Sequence, residues 1–285
     1  MRTIRAKCLR DNRGHNPAIL EVINITSEEA KQAMDIKPFF SALRFLTILP
    51  VPESWCGDAN SFHKSPNWYP LVGLMIGLLL ALLDLFLCWL LPVSVASVLL
   101  LLAMIAISGA LHMDGLADSA DAWFSSRGPE QMLEIMKDSR SGPMGVVAIT
   151  IVLLLKLMLL IALPEAWRWQ IIVLMPLAGR CVLPVLSSQL PYARTHGTAA
   201  FTNEDFNCSR VSIAFATLLI PALVLSGWTS GLIIVSSVCF GGWLLGAYSR
   251  RKIGGFTGDT LGATCELVEL LPALCTVILA HRGII

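Results

Sequence analysis

Residues 68–91 read WYPLVGLMIGLLLALLDLFLCWLL, a run in which Asp84 is the single charge. About 20 such residues are what an α-helix needs to cross the ~30 Å hydrocarbon core of a bilayer, because only a helix satisfies its own backbone hydrogen bonds there. Working outward, comparable apolar runs occupy 93–111, 143–163, 170–190, 211–227, 230–248 and 263–280. The predicted fold is therefore all-α, a polytopic integral membrane protein of about seven transmembrane helices. Upstream, residues 39–49 (FFSALRFLTIL) are too short to cross and carry Arg44, which predicts a short interfacial helix ending at Pro50.

The bulk numbers agree. Of the 285 residues, 55% are hydrophobic and only 14% charged, and mean hydropathy is +0.69, whereas a soluble domain carries about 25% charge. With a net charge of +1 there is no global basic field to attract nucleic acid, and none is expected as a partner; the lipid bilayer is. The eight cysteines are scattered, form no C-x-x-C pair and fall mostly in apolar runs, so neither a disulfide nor a zinc site is expected. Residues 1–33 are polar, of mixed charge and without the apolar core of a secretory signal. They read as a disordered extension or a misassigned start, ahead of a single transmembrane domain over 34–285.

Loops facing the cytoplasm are enriched in Lys and Arg. With the N-terminus inside, the inner loops hold Arg127, Lys137, Arg140, Arg194, Arg210, Arg250, Arg251 and Lys252, and the outer side holds only Arg168 and Arg282. Every polar motif then lies on one face.

The longest internal hydrophilic stretch begins HMDGLADSADAW at 112, with Asp114, Asp118 and Asp121 spaced by four and three residues. On a helix these three fall within roughly a 60° arc. Carboxylates so placed repel one another and raise each other's pKa unless a cation lies between them, and hard oxygen donors suit Mg²⁺ or Mn²⁺. The competing reading is a solvated helix start favoured by the helix dipole, against which stand the interleaved alanines and the following Trp123 and Phe124. Downstream, Glu130, Glu134 and Asp138 read as ordinary helix surface or as a second acidic face, with Asp138 the best placed beside the S-R-S-G turn.

A second constellation, GGFTGDTLGATCELVEL at 254–270, sets Gly254, Gly255, Gly258 and Gly262 between a basic cluster and the last span. Glycines allow amide groups to approach an anion, and the helix start adds its positive dipole end. Asp259 lies inside this turn, and Glu266 and Glu269 follow at helical spacing within the span, where carboxylates are costly unless they face a cavity or a partner. Lys156 and Arg180 are the other charges at membrane depth; each reads either as a phosphate or carboxylate partner or as a snorkelling or paired structural group. His112 reads as a hydrogen-bonded structural residue or an orienter of a metal-bound carboxylate.

Taken in order, FLTILPVP, WYPLVGLMIG, LHMDGLADSADAW, EIMKDSRSGPMG and GGFTGDTLGATCELVEL resemble the cobalamin synthase (adenosylcobinamide-GDP ribazoletransferase) family over nearly the whole chain after Met34. Met113 stands where leucine is expected. The resemblance implies a multi-pass enzyme of the bacterial inner membrane, its active site facing the cytoplasm, which joins adenosylcobinamide-GDP to α-ribazole or α-ribazole 5′-phosphate, releases GMP and requires Mg²⁺. On that basis Asp114, Asp118 and Asp121 are the expected metal ligands, and Arg127, Arg140 and Arg180 with Gly255 and Gly258 the expected phosphate contacts. Asp118 and Asp121 share the catalytic assignment with Asp259 and Glu266, the last two as further ligand or general base. The implied partners are the corrinoid-nucleotide and α-ribazole substrates, with a homo-oligomer or other cobalamin-assembly enzymes as further associates. The alternatives are a CDP-alcohol type of membrane phosphotransferase and, more distantly, a transporter, whose acids would cluster near the bilayer midplane.

Overall fold

A computed structural model describes residues 36–194 and 208–285; the 1–33 segment and the 195–207 connection lie outside the described residues. Among the described residues there are helices and one isolated bridge, Tyr192 with Phe256, and no strands. Residues 38–285 form one unit by their chain contacts.

The predicted interfacial helix is α1 (Lys37–Leu46), ten residues with Ser41, Ala42 and Leu46 turned inward. Short helices α2 (Glu53–Cys56) and α3 (Ala59–Lys64) and a 3₁₀ turn lead into α4 (Tyr69–Leu90). Then come α5 (Val93–Ser108), α6 (Leu111–Trp123), α7 (Pro129–Ile135), α8 (Pro143–Ala162), α9 (Arg168–Gln189), α10 (Cys208–Ile253) and α11 (Gly258–His281).

The central post is α9, whose residues from Ile171 to Pro184 are all buried. The helix α4 closes on it through Gly73 and Gly77, spaced four apart. A Cβ on Gly73 would lie 2.9 Å from the Pro176 carbonyl oxygen, and one on Gly77 would strike Val173. Small residues at this spacing are how membrane helices bring their backbones together when lipid gives no hydrophobic advantage to packing. The opposite face of α4 stays apolar and outward: Leu82, Leu85, Phe86 and Trp89 follow one helical stripe, and Trp89 is 81% exposed. In water this would be a liability; in lipid it is the solvent-facing surface.

Among the described residues, five helical segments are long and apolar enough to cross a bilayer, and six if the α5–α6 pair is counted as one broken span. The count of seven from the sequence differs because α10 is a single 46-residue element. At 1.5 Å per residue it would measure about 69 Å if straight, more than twice a bilayer core. It is not straight. Gly227 has φ 75° and ψ 172°, and a Cβ on Gly231 would meet the Ala222 carbonyl oxygen at 2.7 Å, so the chain doubles back there as two antiparallel rods.

The other departure is α5, which ends at Ser108 after about 24 Å. Gly109 and Ala110 both take positive φ, 58° and 59°, and α6 leaves at 88° to α5. The left-handed conformation costs a non-glycine residue about 1–2 kcal/mol. The corner is held by the Ile48 amide donating to the Ile107 carbonyl at 2.9 Å. The helix α6 thus lies across the bundle instead of spanning it, packed against the starts of α8 and α11.

Candidate active site

The acidic helix α6 is fastened at both ends. Asp121, near its C-terminus, accepts from the Gly142 amide at 2.7 Å and from the Gly145 amide at 2.9 Å, so its two oxygens cap the start of α8. Lys252, at the end of α10, donates to the Trp123 carbonyl at 3.0 Å. Toward its N-terminus α6 meets α11 glycine to backbone: a Cβ on Gly115 would stand 2.7 Å from the Asp259 carbonyl oxygen, and one on Gly262 would stand 3.3 Å from His112.

The start of α11 is built by the glycine turn. Gly254 has φ 81°, and Gly255 lies so close over the Pro191 carbonyl that no Cβ fits. The Phe256 amide donates to Pro191 at 3.0 Å and the Ala193 amide to Phe256 at 2.9 Å. The Thr257 hydroxyl then accepts from the Thr260 amide in a reciprocal capping box. This clasp carries Arg194 to Asp259, which it meets at 2.7 Å. No motif in the sequence singles out Arg194, since the pairing spans 65 residues. Gly255 is therefore occupied by protein backbone, while Gly258 is exposed with open space around it.

A cavity of about 170 Å³ lies where these elements meet, with His112, Asp114, Gly258 and Asp259 at its polar end. Asp114 is exposed and Asp118 half-buried. Partial burial, followed by the charges of Asp114, Asp259 and Asp121, pushes the Asp118 carboxyl up to about 7, with Arg194 opposing. The electrostatic strain inferred from the sequence is thus present, but its geometry differs. Asp121 turns to the α8 amides, Asp259 joins from another helix, and among the described residues no three His, Cys, Asp or Glu side chains stand together as a ready-made metal cage. The donors do fit a hard cation: they are oxygens only, and neither Asp114 nor Asp118 has an ion-pair partner among the described residues. Mg²⁺ is commonly held by one or two carboxylates plus substrate phosphates and water, without an all-protein cage.

The remaining expected residues lie elsewhere. Arg127 is exposed at the loop between α6 and α7. Arg140 is 86% exposed and grips Asp138 with Nη2–Oδ2 at 2.6 Å, which holds the Asp138 carboxyl down at about 2. Arg180 and Glu266 are not brought to the cavity's acids. They belong to a sealed cluster deep among α8, α9 and α11, in which Lys156 Nζ donates to Glu266 at 2.7 Å and to Glu269 at 2.9 Å while Arg180 pairs with Glu269. Gly179 leaves the room: a Cβ there would stand 2.7 Å from Glu269 Cγ. Two cations meet two anions, all 5% exposed or less. On the far side of the bundle a third buried pair joins Arg168 of α9 to Asp84 of α4 at 2.6 Å, with Ser97 at 3.1 Å.

The family model for cobalamin-5-phosphate synthase matches residues 38–278. The chain is 39% identical over 80% of its length to a protein of Ectopseudomonas mendocina named adenosylcobinamide-GDP ribazoletransferase, 93% of which is covered. A Pseudomonas putida protein of the same name is 41% identical over 83% of this chain and 97% of its own. A third, from Stutzerimonas stutzeri, is 41% identical over 81% and 94%. No solved structure matches. With the match running from α1 to the last turns of α11, and so through every wall of the acidic cavity, the chain belongs to the cobalamin-5-phosphate synthase family.

Proposed function

We propose that this protein is an adenosylcobinamide-GDP ribazoletransferase of the bacterial inner membrane, acting from the cytoplasmic side. The observation that carries the reading is a cavity lined by Asp114 and Asp259, with the Asp118 carboxyl near enough to feel both charges, at the end of the bundle that also bears Arg127, Arg140, Arg194 and the basic end of α10. That end is the Lys- and Arg-rich one, which membrane insertion keeps inside.

The reaction joins the hydroxyl of α-ribazole, or of its 5′-phosphate, to the cobinamide-linked phosphorus and breaks the bond from that phosphorus to GMP. In such a displacement a protein works mainly by positioning and by stabilising charge. Asp259 lines the cavity, and the Arg194 guanidinium fixes its carboxylate; it is placed to take the hydroxyl proton. Glu266, bonded to Lys156 inside the bundle, is the poorer candidate for that role. Arg127 and Arg140, exposed on the loops that flank α7, can reach the diphosphate oxygens from the rim. Gly258, at the first turn of α11, presents the positive end of that helix to an anion. Asp114 and Asp118 would hold Mg²⁺ together with substrate phosphates, and the ion when bound would neutralise diphosphate charge. Arg180 keeps α9 and α11 in place through Glu269 and acts on the site only from behind.

The test is turnover by the purified protein of adenosylcobinamide-GDP with α-ribazole and Mg²⁺, with and without EDTA, followed by detection of GMP and the joined corrinoid. Both products are expected, and EDTA should abolish them. Reaction with CDP-alcohols and none with the cobinamide substrate would replace this reading with the lipid-alcohol one.

A further inference from the structure

The cavity has two unlike ends. Away from the carboxylates its walls are Phe45, Phe62, Tyr69, Leu111 and Leu183, supplied by α1, α3, α4, α6 and α9. The rings form one surface: Phe45 meets Phe62 edge-on with centroids 5.8 Å apart and lies nearly parallel to Tyr69 at 6.0 Å and 18°. His112 also lines the cavity, but its Nδ1 is enclosed by protein and has no hydrogen-bond partner among the described residues.

The volume decides how much of a substrate enters. Whole drug-sized ligands occupy pockets of about 300–1,000 Å³, whereas an apolar cavity of about 150 Å³ is enough for a benzene ring. At about 170 Å³ this cavity takes one small ring system and excludes a corrinoid. The chemistry of the walls decides which ring. A guanine carries donors and an acceptor along its edge and would leave them unsatisfied against phenylalanine and leucine. The benzimidazole of ribazole has no donor and a single acceptor, its unsubstituted ring nitrogen, and gains from aromatic contact.

We propose that the aromatic end of the cavity is the subsite for the apolar bicyclic base of the nucleoside substrate, with Phe45 and Tyr69 as its principal wall. The base then enters beside α1, and its sugar hydroxyl is directed toward Asp114 and Asp259. The assignment rests on the ribazoletransferase reading. It explains why a short interfacial helix, outside the charged motifs, belongs to the catalytic unit: it carries Phe45.

The experiment uses the full-length enzyme in detergent micelles, with KM measured separately for each substrate. Phe45→Ala is expected to raise KM for α-ribazole about tenfold, the effect of losing an aromatic wall, and to leave KM for adenosylcobinamide-GDP in place. Phe45→Leu should show the same split more weakly, and Trp89→Ala on the lipid face should change neither constant. In the wild type, free 5,6-dimethylbenzimidazole should inhibit in competition with α-ribazole, and Phe45→Leu should blunt that inhibition. Should the free base compete with adenosylcobinamide-GDP instead, or should Phe45 variants raise only the corrinoid KM or both constants equally, the subsite is wrong while the enzyme assignment stands. If Phe45→Ala fails to fold, the wild-type inhibition pattern and Phe45→Leu decide the matter. A wild type that forms no corrinoid product overturns the functional reading, and the subsite falls with it.

Discussion

Two groups of charged side chains lie within a few helical turns of each other on α11, and they are put to opposite uses. In the deep group, Lys156 and Arg180 answer Glu266 and Glu269, and all four are closed off from solvent. In the outer group, Asp114 and Asp259 line an open cavity with Asp118 close behind, and among the described residues Arg194 is the one cation bonded to them. Charge inside a membrane protein becomes architecture where it is balanced. Where it is left in excess next to a cavity, it is available to a ligand.

The deep group gives the largest effect. Lys156→Met leaves two buried glutamates with one cation, and breaking a buried pair from one side costs about 3–5 kcal/mol. The variant should accumulate poorly in membranes and melt well below the wild type in detergent. A normally folded Lys156→Met that merely loses turnover would move the cluster from architecture to catalysis and erase the contrast.

Asp118→Asn tests the outer group. Turnover should fall by about 100-fold or more, the scale of losing a group that stabilises transition-state charge, while membrane insertion and melting temperature hold or improve as the crowded charge is relieved. Activity at the wild-type level in this variant would count heavily against a metal there.

Asp121→Asn sharpens the line between neighbours on one helix. Because Asp121 caps the start of α8, an amide that keeps one acceptor oxygen should cost about 1 kcal/mol of stability and spare most turnover. A loss as deep as that of Asp118→Asn would return Asp121 to the metal site.

The last test is of pH. Asp118 titrates near 7 in the folded protein against an ordinary 3.8, so a pKa raised by folding means the folded state holds the proton more tightly than the unfolded chain. Without divalent cations, stability should therefore rise as pH falls from above 7 toward the ordinary carboxylate range, and level off below it. Melting temperature against pH should show this slope, Asp118→Asn should flatten it, and added Mg²⁺ should oppose it.

Much of the fold is legible in the sequence. The apolar runs announce spanning helices because their length is dictated by the bilayer, and the short run around Arg44 announces a helix too short to cross. The helix break at Gly227 falls between the runs ending at 227 and beginning at 230, so the sequence marks the turn that the 46-residue element obscures. The three aspartates do share one helix, as their spacing predicts, yet that spacing carries no information about what each faces. Asp121 meets the amides of residues 142 and 145, and Asp259 meets an arginine 65 positions upstream. Arg180 and Glu266 are legible as buried charges requiring partners; that the partners are each other's neighbours, and not substrate, depends on where α8, α9 and α11 cross.

The sequence alone thus determined the solvent of each segment and the chemical kinds of group at its polar end, because transfer free energies and helix periodicity act locally along the chain. Tertiary structure decided which of those groups cancel and which remain in excess. Pairing energies depend on distances across helices; Gly115 and Gly262 set them by letting the backbones of α6 and α11 approach, and Gly179 by leaving room for the Glu269 side chain.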